Sequence, residues 1–358
     1  MIYAKNNLLM RRKKIVRFLL SILIGGFFLW LAFQNVDLGK LWEYFQTINY
    51  FWLLPFATAT LLSHFFRALR WKLLITECQN PPRSPVLFSG VMVGYLFNYV
   101  FPRLGEISRS AYVGKRENLS VSNLVGTVIL ERAIDLACMF LLMATVFVYV
   151  IADLNILRSL FGGETIDWMT WLAQPRVILI GILVLAVALP LAYYLARFLV
   201  RLATKSNLLK PAADRIKKII YMFVDGLLAI RKVKKWGRFL LYTLFIWVGY
   251  VLMTYFPFGM FDMHETYELG LLDALSVTVI SSIGIALPSP GGVGTYHYFV
   301  KQALLVLFAV PAVTGLAFAI VLHGTMLILV VVSTPLIVLA ERLWIKYSGS
   351  VNTVSNPG

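Results

Sequence analysis

Three charged residues stand together inside a long apolar stretch of the chain. Glu131, Arg132 and Asp135 fall within residues 122–151, where most neighbours are apolar. On a helix Glu131 and Asp135 share one face, and Arg132 lies three residues before Asp135 and can pair with it. Charges in such a setting usually face a bundle interior or a wet cavity. The pattern leaves two interpretations open, a ligand site and a structural ion pair.

A second polar set surrounds a break after the apolar segment 86–101. The break contains Pro102 and Gly105, and the polar side chains around it are Asn98, Arg103, Glu106 and Arg109. A guanidinium matches phosphate in a bidentate manner, so the arginines could bind a lipid phosphate while Glu106 orients one of them. The alternative is a basic rim that follows the positive-inside rule. Snorkelling and aromatic anchoring account for Arg67, Arg70 and Trp71.

A third motif interrupts the apolar segment 271–309. Its glycine-rich centre contains Pro290, Gly291, Gly292 and Gly294. Backbone N–H groups there could form an anion nest, and the simpler alternative is a tight turn that needs glycine for positive φ. His297 follows this motif and could titrate or hold a phosphate, whereas His64 and His323 are typical of buried helical positions. No metal spacing or nucleophile–base pair is present in the sequence, so we expect no cofactor, no metal and no catalytic residue.

Composition places these motifs in a membrane protein. The chain is 59% hydrophobic and only 14% charged, whereas soluble domains carry about 25% charged residues. The predicted fold class is therefore all-α, a polytopic transmembrane helix bundle. The net charge is +16, but the basic residues flank apolar runs, where anionic lipid and the positive-inside rule explain them. We therefore expect no nucleic-acid partner.

A helix needs about 20 apolar residues to cross the hydrocarbon core. The candidate spans are residues 15–34, 49–66, 122–151, 177–200, 238–260 and 313–340. The first of them is too long for a cleaved signal peptide. The basic loops predict that both termini are cytoplasmic in a cell inner membrane, and the loops 35–48, 152–175 and 261–270 are predicted to lie outside.

These loop charges agree only if residues 86–101 enter from the cytoplasmic side and return, as a re-entrant segment. Residues 271–309 begin and end outside, as a second re-entrant hairpin or as two short spans. Two Pro/Gly-broken segments that enter from opposite faces are typical of an inverted-repeat transporter, although Pro and Gly are also simply common in membrane helices. Residues 1–350 are predicted to form one domain containing a cytoplasmic amphipathic segment at 203–236, and a disordered tail is predicted at 351–358.

Taken in order, the motifs resemble a known family. They comprise Arg67, Arg70 and Trp71, then residues 98–109, then Glu131, Arg132 and Asp135, and last residues 288–294. They are similar to the transmembrane region of lysylphosphatidylglycerol synthases and to the stand-alone flippase-like integral membrane proteins, over residues 15–340. The resemblance implies lipid movement, and it argues against aminoacyl transfer because the soluble transferase domain is absent. Family members often carry Glu where His297 stands, which puts the charge of the substrate site and any proton coupling in doubt.

The sequence thus predicts a lipid transporter and not an enzyme. Arg103, Arg109 and Arg132 would bind the phosphate of an anionic phospholipid or a polyprenyl-phosphate-linked lipid. The acidic residues Glu106, Glu131 and Asp135 would orient the arginines, and the two broken segments would form the gate. The alternatives are a non-transporting partner or anchor of a glycosyltransferase or lipid-synthesis enzyme, and a membrane-embedded transferase. The substrate, direction, energy source and oligomeric state stay open.

Overall fold

The computed structural model of the chain describes residues 19–75, 81–100, 104–153 and 235–354. Within these ranges the regular structure is helical and no strand occurs, which confirms the all-α bundle. The predicted span 177–200 and the predicted site residue Arg103 lie outside the described residues. The predicted amphipathic segment 203–236 also lies outside them, except for its last two residues.

The chain divides into two compact units, one formed by residues 1–128 with 233–358 and the other by residues 129–232. In chain order the helices are α1 (Leu19–Phe33), α2 (Leu38–Thr47), α3 (Leu53–Leu74), α4 (Ser84–Val100), α5 (Leu104–Glu117), α6 (Val121–Asp153), α7 (Trp236–Met260), α8 (Met263–Thr266), α9 (Leu271–Ala286), α10 (Thr295–Phe308) and α11 (Ala312–Val354). Single 3₁₀ turns occur at Tyr50–Trp52 and Pro290–Gly292. Helix α6 passes from the first unit into the second, and the predicted tail begins inside α11.

Among the described helices, α7 and the stretch Ala312–Tyr347 of α11 are each long and apolar enough to cross a membrane. They confirm the spans predicted at 238–260 and 313–340. Helices α1 and α2 pass the same test only as a pair bent by 86°. Helix α2 lies in a segment predicted as an outer loop, and it begins after Asp37, whose Oδ1 accepts a hydrogen bond from the Gly39 N–H at 2.8 Å. This N-cap satisfies a backbone donor that the first helical turn leaves free.

Two separate apolar cores stabilise the first unit. The first core includes Phe56, Phe258, Met263, Ala274, Val300 and Phe318. The second core includes Ala68, Trp71, Val86, Leu87, Val113 and Leu124. Residues at the start of α3 pack in the first core, and residues near its end pack in the second core. The two cores therefore lie at opposite ends of the unit.

Two antiparallel helix pairs enter this unit from its opposite ends. Hairpin 1 consists of α4 and α5 and begins and ends at the second core, through Val86 and Val113. Hairpin 2 consists of α9 and α10 and begins and ends at the first core, through Ala274 and Val300. Their helices have 14 to 17 residues, fewer than the roughly 20 that a complete span needs. This geometry favours the re-entrant interpretation of both segments, and their sidedness in the membrane stays a prediction.

Candidate functional site

Hairpin 1 turns where two backbones approach each other closely. A Cβ on Gly105 would overlap the carbonyl oxygen of Gly94 and would lie 2.6 Å from Cγ of Asn98. The Oδ1 atom of Asn98 accepts a hydrogen bond from the Gly105 N–H at 2.8 Å. Asn98, predicted to contact substrate, therefore also closes the hairpin, because its carboxamide satisfies a donor at the start of α5.

Arg109 lies one turn beyond Gly105 in α5, where it is 4% exposed. Its Cζ stands 4.8 Å from the centroid of the Trp71 ring, which is a cation–π distance. The Trp71 indole is fully buried and donates a hydrogen bond from Nε1 to Oγ1 of Thr127 at 2.8 Å. Glu106 is half-buried one turn before Arg109. The structure therefore brings Asn98, Glu106 and Arg109 together within one hairpin.

Arg67 forms a second buried cationic centre, one that the sequence assigned to the rim. It is 3% exposed, and its Nη1 donates to the hydroxyls of Tyr95 at 2.6 Å and Tyr250 at 2.7 Å. The His64 ring stacks on Tyr95 with centroids 4.0 Å apart. We call these four residues the Arg67 cluster. The snorkelling interpretation of Arg67, Arg70 and Trp71 is wrong, because all three side chains are buried against neighbouring helices.

Removing either hydroxyl from the Arg67 cluster should destabilise the fold. Hydrogen bonds to charged groups contribute about 1.5–3 kcal/mol, so we expect Tyr95→Phe and Tyr250→Phe each to lower the free energy of unfolding by about 2 kcal/mol. Their combined effect should differ from the sum, since both bind Arg67. Chemical denaturation in detergent measures this. The control is Tyr242→Phe, also on α7, whose ring packs against Phe66; an equal loss there would contradict the assignment.

The tip of hairpin 2 is a tight turn that needs glycine. Gly291, Gly292 and Gly294 have φ angles of 59°, 81° and 85°, which glycine adopts without a Cβ clash. The N–H of Gly292 donates to Ser289 O at 3.3 Å, and the N–H of Gly294 donates to Nδ1 of His297 at 3.3 Å. These N–H groups serve the turn itself, which counts against an anion bound there in this conformation.

The tips of the two hairpins meet. A Cβ on Gly291 would lie 3.1 Å from Cδ1 of Tyr99, the last aromatic residue of α4. Beside this contact, the His323 ring centroid lies 5.0 Å from that of His297, 5.2 Å from Tyr296 and 6.0 Å from Tyr99. We call these four residues with Gly291 the tip junction. It joins the predicted residues Pro290, Gly291, Gly292, Gly294 and His297 to hairpin 1.

His64 of the Arg67 cluster lies at the middle of α3, and His323 of the tip junction lies about a quarter of the way along α11. His323 is eleven residues from the start of α11, and His64 is eleven residues from the start of α3. At 1.5 Å per residue each is roughly 16 Å from its helix end, about half of the hydrocarbon thickness. His323 was expected only as a buried helical residue, although its position in an apolar helix is the same kind of signal that drew attention to Glu131.

The remaining predicted residues belong to the second unit. Glu131 is fully buried, Asp135 is half-buried and Arg132 is exposed. All three lie on α6, so their helical spacing is as predicted. Their participation in one site with the hairpins stays a prediction.

Comparison with known proteins identifies the family to which this chain belongs. A family model described as the lysylphosphatidylglycerol synthase TM region matches residues 18–333. The chain belongs to this family. The lysylphosphatidylglycerol synthase TM region is a membrane-domain family, often flippase-like or involved in lipid handling, so the chain is an integral membrane protein. The family match contains both hairpins, the Arg67 cluster and the tip junction. No match was found among curated proteins or among solved structures.

Proposed function

We propose that this chain moves an anionic lipid between the leaflets of a bacterial inner membrane. The observation that carries the proposal is the meeting of two hairpins that enter from opposite ends. In transporters with this plan, a site near the midplane opens to one side while the other side stays closed. Family membership supports a lipid as the cargo, because the family is often flippase-like.

The buried arginines favour an anionic headgroup. Arg67, Arg70 and Arg109 are between 0% and 4% exposed, and all three lie in the first unit. Cationic side chains inside an apolar bundle are costly, and they usually mark a pathway for a polar substrate. A planar guanidinium binds phosphate in a bidentate manner. Arg109 and Arg67 would therefore bind the phosphate of a phospholipid or a polyprenyl-phosphate-linked lipid, and roles for Arg103 and Arg132 stay predictions from the sequence.

The described conformation is closed at the tip junction. Gly291 touches Tyr99, and Arg109 is covered by Trp71. The headgroup would reach the arginines when the tips separate, while its acyl chains stay in lipid. Glu106 would keep the Arg109 guanidinium oriented when no lipid is bound. No bond is made or broken in this scheme.

Removing the charge of Arg109 should slow the movement of anionic lipid. We expect Arg109→Gln to lower the flux of a labelled phosphatidylglycerol in proteoliposomes about tenfold, as the loss of one charge-assisted interaction of about 1.4 kcal/mol would do. Arg109→Lys should retain part of the flux, since the charge remains but the planar fork is lost.

The matched control is Lys115→Gln, which removes an exposed charge from the same helix. An equal slowing by Lys115→Gln would show that overall charge, and not Arg109, governs the flux. No acceleration by the parent protein across phospholipids and polyprenyl-phosphate-linked lipids would overturn the transport proposal. A stably co-purifying glycosyltransferase or lipid-synthesis enzyme would then favour the membrane-partner alternative, and a chemically modified lipid would favour the transferase.

A further inference from the structure

His297 and His323 form an imidazole pair at the tip junction. Their ring centroids are 5.0 Å apart, and His297 is 7% exposed. Because Nδ1 of His297 accepts the Gly294 N–H, the proton of this neutral ring belongs on Nε2. The Nε2 atom of His323 is buried and has no hydrogen-bond partner in the described part of the chain. His297 is thus a neutral ring with its Nδ1 satisfied, whereas Nε2 of His323 lacks a hydrogen bond.

The charged and titratable groups that face this pair come from few elements. Helix α4 contributes Tyr99, and α10 contributes Tyr296. One turn beyond His297, the ammonium of Lys301 donates to Leu31 O at 3.1 Å, at the end of α1. The described part of α1 has no titratable side chain, and the Asp273 carboxylate of α9 caps Gly270 at the far end of that helix. Lys301 thus lies one turn from His297, Asp273 lies at the far end of α9, and Glu106 lies in the first turn of α5, in hairpin 1.

We propose that His297 and His323 together bind one proton, and that this proton controls contact between the hairpin tips. The inference rests on the proposed function, because it names the ion whose binding would be coupled to lipid movement. Two imidazolium rings this close repel each other, so the pair accepts one proton and titrates as a unit. The neutral pair corresponds to the closed junction.

Protonation acts directly on the turn. An imidazolium has two donors and no acceptor, so a charged His297 loses its hydrogen bond with the Gly294 N–H. His297 also lies in the first turn of α10, where the positive end of the helix dipole opposes a cation. The Gly294 turn holds Gly291 against Tyr99, and loss of that hydrogen bond releases the tip of hairpin 2. Proton uptake would therefore separate the hairpins.

Spin-label distances measured as a function of pH test this mechanism. The labels are placed at Phe97 and Ile285, exposed residues near the two tips, after Cys78 and Cys138 are changed to Ser. In nanodiscs the interlabel distance should lengthen as the pH falls below about 6.5, the ordinary value for an imidazole. His297→Gln and His323→Gln should each remove the shift, because glutamine does not titrate; at position 297 its side-chain oxygen can still accept the Gly294 N–H.

His264→Gln is the control, since Nδ1 of His264 donates a hydrogen bond to Leu269 O in the 261–270 loop, away from the tips. It should keep the full shift. If His323→Gln impairs folding, His323→Phe is used instead, because it keeps an aromatic ring at this position. The proton site is overturned if the interlabel distance does not change with pH in the parent protein. It is also overturned if both histidine variants show the same pH-dependent change as the parent. Lipid movement without a pH-dependent distance would overturn the proton site alone. A pH-dependent distance in a protein that moves no lipid would overturn only the proposed transport.

Discussion

Gly294→Ala should lower the free energy of unfolding by about 3 kcal/mol or more and should abolish lipid movement. The residue has φ 85° and ψ −62°, which strains any side chain by about 1–3 kcal/mol. An added Cβ would also overlap the carbonyl oxygen of Gly25 and would lie 2.8 Å from the Leu29 nitrogen. These are backbone atoms of α1, which cannot rotate away, so overpacking adds a further cost of about 1–3 kcal/mol.

Thermal unfolding in detergent, followed by tryptophan fluorescence, measures this loss. The matched control is Gly26→Ala, because Gly26 lies beside Gly25 on α1 and a Cβ there meets nothing within 4 Å. Gly26→Ala should be neutral or slightly stabilising, since alanine favours the helix over glycine. Similar unfolding temperatures for the two variants would contradict the close packing of α1 against the tip.

Glu341→Ala should release hairpin 1 from the end of α11. Glu341 is 2% exposed, and its carboxylate accepts hydrogen bonds from the Tyr112 hydroxyl at 2.6 Å and from Nη2 of Arg116 at 2.7 Å. Breaking a buried ion pair costs about 3–5 kcal/mol. Since the Arg116 side chain is 34% exposed, water can solvate it after the change, and we expect a loss of about 2–3 kcal/mol.

Denaturant unfolding measures this loss. Two further variants test whether the charge and the burial of Glu341 are its cause. Glu341→Gln keeps the shape and an acceptor, so its effect should be about half as large. Arg83→Gln removes an ion pair with Glu117 in which the arginine side chain is 40% exposed. Such surface pairs contribute about 0–1 kcal/mol. If Arg83→Gln were as destabilising as Glu341→Ala, burial would not be the reason for the importance of Glu341.

The hairpins could be predicted from the sequence because their signals are local. Loop charges required residues 86–101 to return to their own side, and glycine and proline marked the turn at 287–294. The structure has a pair of short helices at each place, and their re-entrant topology in the membrane stays a prediction. Helix α2 carried a local signal too, since Asp37 precedes an amphipathic stretch, but its short length and its place in a loop concealed it.

The Arg67 cluster and the tip junction could not be predicted in the same way. Arg67 meets Tyr250 across 183 residues of chain, and a single sequence carries no information on which distant helices become neighbours. Arg67 near the end of an apolar run looks the same whether it snorkels to the headgroups or turns into the bundle. His323 is a candidate site residue only because α11 packs beside hairpin 2 and brings its ring next to His297.

The separation of the two apolar cores has a consequence for how the molecule can vary. Each core stabilises the base of a different hairpin, and the two share none of their fully buried residues. A change in side-chain volume in one core therefore acts first on the hairpin whose base lies there. If the chain moves lipid as proposed, sequence drift in either core would adjust which leaflet the resting protein faces, and how long it stays there.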